Sequence, residues 1–271
     1  MDALSLDSMS LEEALAQLQL MRAYGVEDAL DEEAPDRFAL APPAIAPAPP
    51  IASPSSQPRL DTARTAPAAT SSAAGAMAAR ALAASATSLP ELQALLDRFD
   101  GCALKVTANK TVFADGVPGS RLMLVGEAPG RDEDMAGLPF VGRSGQLLDR
   151  MLAAIGLDRS QVYIANIIPW RPPGNRTPTT QEVEVCRPFI TRQIELAKPE
   201  IIVFVGGSSA SAMLGTTDGI KKLRGRWMSY DVAGKETPAL AMLHPAYLLR
   251  QPLEKRLAWR DLLMLKAALE S

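Results

Sequence analysis

The chain has 271 residues and a mass of 28.9 kDa, with 28 Lys+Arg against 31 Asp+Glu, one histidine, two cysteines and 22 prolines. Two cysteines cannot form a disulfide-rich scaffold or a four-cysteine metal site, and one histidine excludes zinc motifs built on histidine pairs. No stretch approaches the ~20 uninterrupted apolar residues of a membrane span, and a start carrying Asp2 and Asp7 lacks the basic region of a secretory signal, so the expectation is a soluble, cytoplasmic monomer with no membrane partner.

Residues 1–40 concentrate acidic groups, among them Glu12, Glu13, Asp31, Glu32 and Glu33, against only Arg22 and Arg37. The rest of the chain is therefore mildly basic although the whole carries −3, a balance that permits a polyanionic partner without requiring one. Within this leader Ser10-Leu11-Glu12-Glu13 reads as a capping box, and Leu11, Ala14, Leu15, Leu18 and Met21 recur at helical spacing up to Gly25. One short amphipathic helix follows; it either docks on the main body, contacts a partner or is only transiently helical. Residues 41–88 are dominated by Ala, Pro and Ser, with no aromatic side chain and one acidic group. Such a segment cannot bury enough apolar surface to offset chain entropy, and a disordered linker is predicted over 41–88.

Residues 89–271 have the size and patterning of a folded domain. Leu122 to Val125, Val162 to Ile164, Ile201 to Val205 and Leu240 to Leu243 read as strands, and segments 144–155, 181–197, 208–214 and 254–269 read as helices. That alternation predicts an α/β fold, a three-layer α/β/α sandwich around a central parallel sheet, with ligands beyond the carboxyl ends of the strands. The first strand runs into Gly126-Glu127-Ala128-Pro129-Gly130, a tight glycine-bounded loop presenting a carboxylate. Gly137-Leu138-Pro139-Phe140-Val141-Gly142 then holds an aromatic ring. The Lys-Ser/Thr of a phosphate loop and the G-x-G-x-x-G of a dinucleotide turn are both missing, which argues against a nucleotide-binding α/β protein. The second strand leads to Asn166, a side chain that donates and accepts at once, and a later strand leads to His244 in His244-Pro245-Ala246-Tyr247-Leu248-Leu249-Arg250.

Those loops, with Arg171-Pro172-Pro173-Gly174-Asn175-Arg176 and the Leu223-Arg224-Gly225 turn, occur in an order that resembles the uracil-DNA glycosylase superfamily over about residues 89 to 265, and most closely its family 4. The resemblance implies a DNA repair enzyme that rotates uracil out of DNA and hydrolyses its glycosidic bond. Phe140 and Asn166 would bind the uracil, and Glu127 and His244 would be catalytic. Gly126, Ala128, Glu133 and Asn175 match further active-site positions. Leu248-Leu249-Arg250 resembles a minor-groove wedge, and from their local setting Ser208 and Ser209, at a helix start after Gly206-Gly207, could hold a backbone phosphate, with Lys221, Lys222, Arg224 and Arg226 adding positive charge nearby. Another branch of the superfamily places its water-activating aspartate where Ala128 stands, so the identity of the base stays open.

Family 4 also implies a four-iron four-sulfur cluster on four cysteines. The matching positions here are Phe99, Cys102, Trp170 and Cys186, and only two are cysteines. The expectation is no cluster, with the two rings filling its volume. The same departure keeps a rival reading open, a protein of this fold that binds uracil or damaged DNA without cleaving it. Finally, Gln17-Leu18-Gln19-Leu20-Met21 is similar to short peptides that dock on bacterial sliding clamps, so a replication or repair protein is a candidate partner for residues 1–40, although the helical pattern already explains those leucines.

Overall fold

The computed structural model describes residues 72–270, together with Ser10 and Leu15 as isolated positions. The expectations for the leader and for residues 41–71 lie outside the described residues. In chain order the elements are α1 (Ser72–Ser85), α2 (Leu89–Arg98), α3 (Leu104–Thr107), β1 (Ala114–Gly116), β2 (Leu122–Gly126), α4 (Arg131–Ala136), α5 (Arg143–Ala153) and β3 (Val162–Asn166). There follow α6 (Thr180–Ala197), β4 (Ile201–Val205), α7 (Gly207–Leu214), α8 (Ile220–Leu223), β5 (Trp227–Val232), β6 (Lys235–Met242), α9 (Pro245–Arg250) and α10 (Lys255–Glu270). No helix among the described residues is long and apolar enough to cross a membrane.

The sheet has the order β1-β3-β2-β4-β6-β5. Its four inner strands are parallel, and the predicted parallel sheet is corrected at both edges, where β1 and β5 pair antiparallel to β3 and β6. β2, β3 and β4 are buried at every position, as near-continuous apolar runs covered on both faces must be. Met123, Val125, Ile202 and Phe204 face one core with α1, α2 and α6. Leu122, Leu124, Val203 and Val205 face the other with α5, α9 and α10. Successive strand residues thus divide between two layers, which gives the α/β/α sandwich. The chain passes from β2 outward to β3, then crosses back to β4 on the other side of β2, so the strand order reverses at β2 and a crevice opens there beyond the carboxyl ends.

The linker expected over 41–88 does not extend that far. Ser72–Ser85 is helical, and Ala79, Ala83 and Ala86 form a small-residue stripe buried in the core that holds α6. Proline is absent from 68 to 89, and alanine is the strongest helix former, so this end of the segment folds once α6 offers a face. The folded domain therefore includes residues 72–88, ahead of the boundary expected at 89. α2 is then started by Ser88, whose side chain accepts from the Glu91 N–H, while Glu91 accepts from the Thr87 N–H at 2.7 Å.

Candidate active site

The crevice holds a cavity of about 520 Å³ lined by Glu127, Ala128, Glu133, Phe140, Asn166, Asn175, Ser208, His244 and Arg250 among others. Glu127 follows β2 directly, Asn166 is the last residue of β3, and His244 stands two residues beyond β6. Three parallel strands thus deliver three polar side chains to one place, and the predicted catalytic and uracil-binding residues are brought together.

Close approach here depends on glycine. A Cβ at Gly126 would lie 2.3 Å from Asn166 Oδ1 and 2.7 Å from the tip of the Phe140 ring, so any other residue would push the amide and the ring apart. Phe140 itself has φ +54°, a conformation that costs a bulky residue about 1–3 kcal/mol and persists only where its surroundings impose it. Its ring lies 5.6 Å from that of His244, with 28° between the planes.

His244 Nδ1 accepts from the Ala246 N–H at 3.1 Å. Burial, reinforced by the Arg250 charge, lowers its pKa to about 4, so the ring is neutral at pH 7 and its one proton sits on Nε2. Burial also pushes the Glu127 carboxyl up, against a hydrogen bond from Ser208. The Glu127 Oε1 atom is buried without a hydrogen-bond partner among the described residues. A carboxylate oxygen left bare in a cavity is a site for a water or a cation.

Glu133 turns out to brace the site. It accepts from the N–H groups of Gly130, Val141 and Gly142 at 2.9–3.1 Å, tying the loop after β2 to the loop carrying Phe140. Asn175, also at positive φ, accepts from Arg171 Nε at 2.6 Å and closes the cavity from the Arg171–Arg176 loop. Ser208 is exposed and partners Glu127, while Ser209 is turned inward onto the Val125 carbonyl at 2.6 Å.

Two DNA-facing expectations need correction. Leu248 is 1% exposed and packs in the core beside α5 and α10; as a wedge it would have to leave that core. Its neighbour Leu249 is 38% exposed and, with Arg250, is the side chain α9 presents outward. Arg224 is not free for phosphate, because it donates to both carboxylate oxygens of the fully buried Asp261 and to the Leu257 carbonyl. Lys221 and Lys222 are paired with Glu254 and Asp218. Sequence reading also passed over Gly145 and Arg159, both of which contact the Phe140 carbonyl. A glycine three residues into the helix after Gly142 was the available signal for the first.

The four positions where family 4 would hold cluster cysteines do converge. Phe99, Cys102, Trp170 and Cys186 are buried in the same core. The Cys186 thiol donates to Cys102 Sγ across 3.8 Å, and that bond together with burial pushes Cys186 well above the usual thiol range. The Phe99 ring sits under Gly101, where a Cβ would lie 2.4 Å from its tip, and leans on Phe189 with centroids 5.1 Å apart. Trp170 Nε1 donates to Thr111 Oγ1 at 3.3 Å. A four-iron cluster needs four thiolates and room for eight inorganic atoms. Two thiols in mutual contact among packed rings do not fit it.

A sheet whose inner strands are parallel, with a polar cavity at its strand reversal lined by an aromatic ring and a neutral imidazole, has the layout of an α/β enzyme that binds its substrate beyond the carboxyl ends of the strands. A family model for the uracil DNA glycosylase superfamily matches residues 113–263, and the chain belongs to that superfamily. Within it the similarity is to type 4. A type-4 uracil-DNA glycosylase from Archaeoglobus fulgidus is 41% identical over 155 residues, 56% of this chain and 78% of that protein. One from Pyrobaculum aerophilum is 37% identical over 180 residues, 65% and 92%, and one from Thermotoga maritima 40% over 150 residues, 55% and 77%.

Proposed function

We propose that the protein removes uracil from DNA by extruding the nucleotide into this cavity and hydrolysing its N-glycosidic bond, leaving an abasic site. The observation that carries the reading is the convergence of Glu127, Phe140, Asn166 and His244 on one cavity from the ends of three strands and one loop. An extruded base would stack on Phe140, while the Asn166 amide would meet O4 and N3–H. Cytosine presents the opposite order of donor and acceptor there, and mispairing buried groups costs about 1–3 kcal/mol each.

Cleavage separates a uracil anion from a cation-like sugar, so the site has to stabilise charge that develops only in the transition state. His244 Nε2–H would donate to the departing O2 without needing to be protonated beforehand. Glu127, with one oxygen unpartnered, would hold the attacking water or offset the sugar cation; Ala128 supplies no acid beside it. Leu249 and Arg250 at the rim would enter and flank the DNA. The reading needs no iron–sulfur cluster, and the thiol contact and packed rings support a cluster-free fold. It further has the protein act as a monomer in the cytoplasm, where both thiols stay reduced.

The test incubates the purified protein with a uracil-containing oligonucleotide and assays alkali-labile abasic sites, with Asn166→Ala and His244→Ala alongside. Turnover in the wild type and loss of about 100-fold or more in each variant are expected, since a single positioned donor contributes on that order. Tight uracil-dependent binding without cleavage would make the protein a reader of damaged DNA instead.

A further inference from the structure

Phe140 lies in a disfavoured conformation, and something must hold it there. The peptide group joining Phe140 to Val141 is gripped from both edges. Its N–H donates to Glu133 Oε1 at 3.0 Å, and its oxygen accepts from Arg159 Nη2. Arg159 sits in the turn preceding β3 and is not among the residues lining the cavity. Its Nη1 also donates to the Pro139 carbonyl at 3.1 Å, so one guanidinium spans two successive carbonyls of the platform loop.

The other side of the guanidinium is fixed as well. Nε donates to Asp149 at 2.8 Å and Nη1 to Asp115, carboxylates carried by α5 and β1 respectively. The Phe140 carbonyl fits between this fork and the first turn of α5 only because residue 145 is glycine; a Cβ there would lie 1.7 Å from the oxygen. With the ring tip already against Gly126, the loop has little room to relax while its carbonyls stay bonded.

We propose that Arg159 is the positioning residue that sets the Phe140 platform for the extruded base, acting through the Pro139 and Phe140 carbonyls. This rests on the reading of Phe140 as the surface on which the base stacks. Arginine is required because a planar fork can satisfy two carbonyls and two carboxylates at once, whereas a lysine ammonium is a point charge without that geometry. Displacing a platform by about 1 Å is enough to cost on the order of 100-fold in rate.

The experiment is a double-mutant cycle on single-turnover uracil excision, with melting temperatures measured so that rates are compared per folded molecule. Arg159→Ala is expected to slow excision by about 10- to 100-fold and Arg159→Lys by about tenfold, while affinity for an abasic-site oligonucleotide stays within about threefold of wild type. Added guanidinium is expected to restore part of the Arg159→Ala rate, and methylammonium is not. In a Phe140→Ala background the Arg159 substitution should cost less than about threefold more, because the platform it positions is gone. Should Arg159→Ala fail to fold, the lysine variant runs the same cycle. An Arg159 variant within twofold of wild type, or one that costs the same factor with and without Phe140, overturns the proposal. A Phe140→Ala variant with wild-type rate overturns the stacking reading itself, and the Arg159 role with it.

Discussion

In the cavity at the carboxyl edge, Glu127 keeps an oxygen without a hydrogen-bond partner among the described residues, and Phe140 is held at positive φ. Around Cys102 and Cys186, by contrast, the chain places rings in close contact and the two thiols contact each other, with Cys102 also bonded to the backbone at Leu104 and Lys105. The local cost in the first region fits the proposed role, in which its polar atoms are kept for a ligand. On the cluster-free reading proposed above, the second has no such duty, and packing does there what a metal crosslink would do. A site that must recognise a molecule constrains residue identity, whereas a site that only holds the fold together constrains volume and burial.

The largest effect that separates the two regions is expected on stability. Trp170 is 1% exposed, and Trp170→Ala should destabilise the fold by about 3–5 kcal/mol through lost burial and the cavity left behind. Urea unfolding would read that loss, with the excision rate per folded molecule unchanged. Iron analysis sharpens the same contrast: purified protein with stoichiometric iron and a brown chromophore would falsify the packed-ring account.

Next in size is Arg224→Ala. It leaves the Asp261 carboxylate buried without its cation, and removing one partner of such a pair costs about 3–5 kcal/mol, toward the lower end here because the guanidinium is 12% exposed. If Arg224 contacted phosphate instead, the salt dependence of DNA binding would change by about one ion. A stable Arg224→Ala variant with a shallower salt slope would move this residue from the fold to the interface.

The adjacent leucines of α9 provide a comparison within six residues. Leu248→Ala should destabilise by about 2–5 kcal/mol as a core truncation. Leu249→Ala should leave the melting temperature in place and weaken uracil-DNA binding or excision by about tenfold, the scale of one lost apolar wedge. The reverse pattern in a paired melting and excision assay would show that Leu249, not Leu248, is the side chain α9 packs into the core.

These cases mark what the sequence could and could not reveal. The buried strands β2, β3 and β4 are legible because continuous apolar runs between helical patterns have one good solution. Glu127, Phe140, Asn166 and His244 are legible because their loops occur in the order that resembles the uracil-DNA glycosylase superfamily; taken singly, each reads as readily as a turn or core residue. The phase of α9 is not, since a six-residue helix opened by Pro245 gives no periodicity to read. The partner of Arg224 lies 37 residues away, and no local pattern announces a long-range pair. α1 hides in an alanine-rich stretch whose burial depends mainly on α6, with α2 beside it. β5 was missed because an edge strand is half exposed, its burial alternating along Trp227–Val232. Arg159 escaped notice because its targets are backbone carbonyls, which carry no residue identity.

The last comparison concerns protons, and it distinguishes the two acidic-side titrations of the cavity. His244 is the only histidine, so its ring can be followed by NMR without assignment. Its midpoint should fall at about 4, against about 6.5 for a free imidazole. The unfolded chain then binds the proton first as the pH drops, so the contribution of His244 to stability is full above about 6.5 and is lost progressively as pH falls toward 4. Comparing the pH dependence of unfolding with that of His244→Asn isolates this slope from the carboxyl groups. Glu127 is shifted the other way, raised by burial and only partly restored by Ser208. If its carboxylate serves the sugar cation or the water, the excision rate should fall on the acid side at a pH above the ordinary glutamate range, while His244 is still neutral. A rate that instead follows the histidine midpoint would assign the acid limb to the leaving-group donor and leave Glu127 with a structural role.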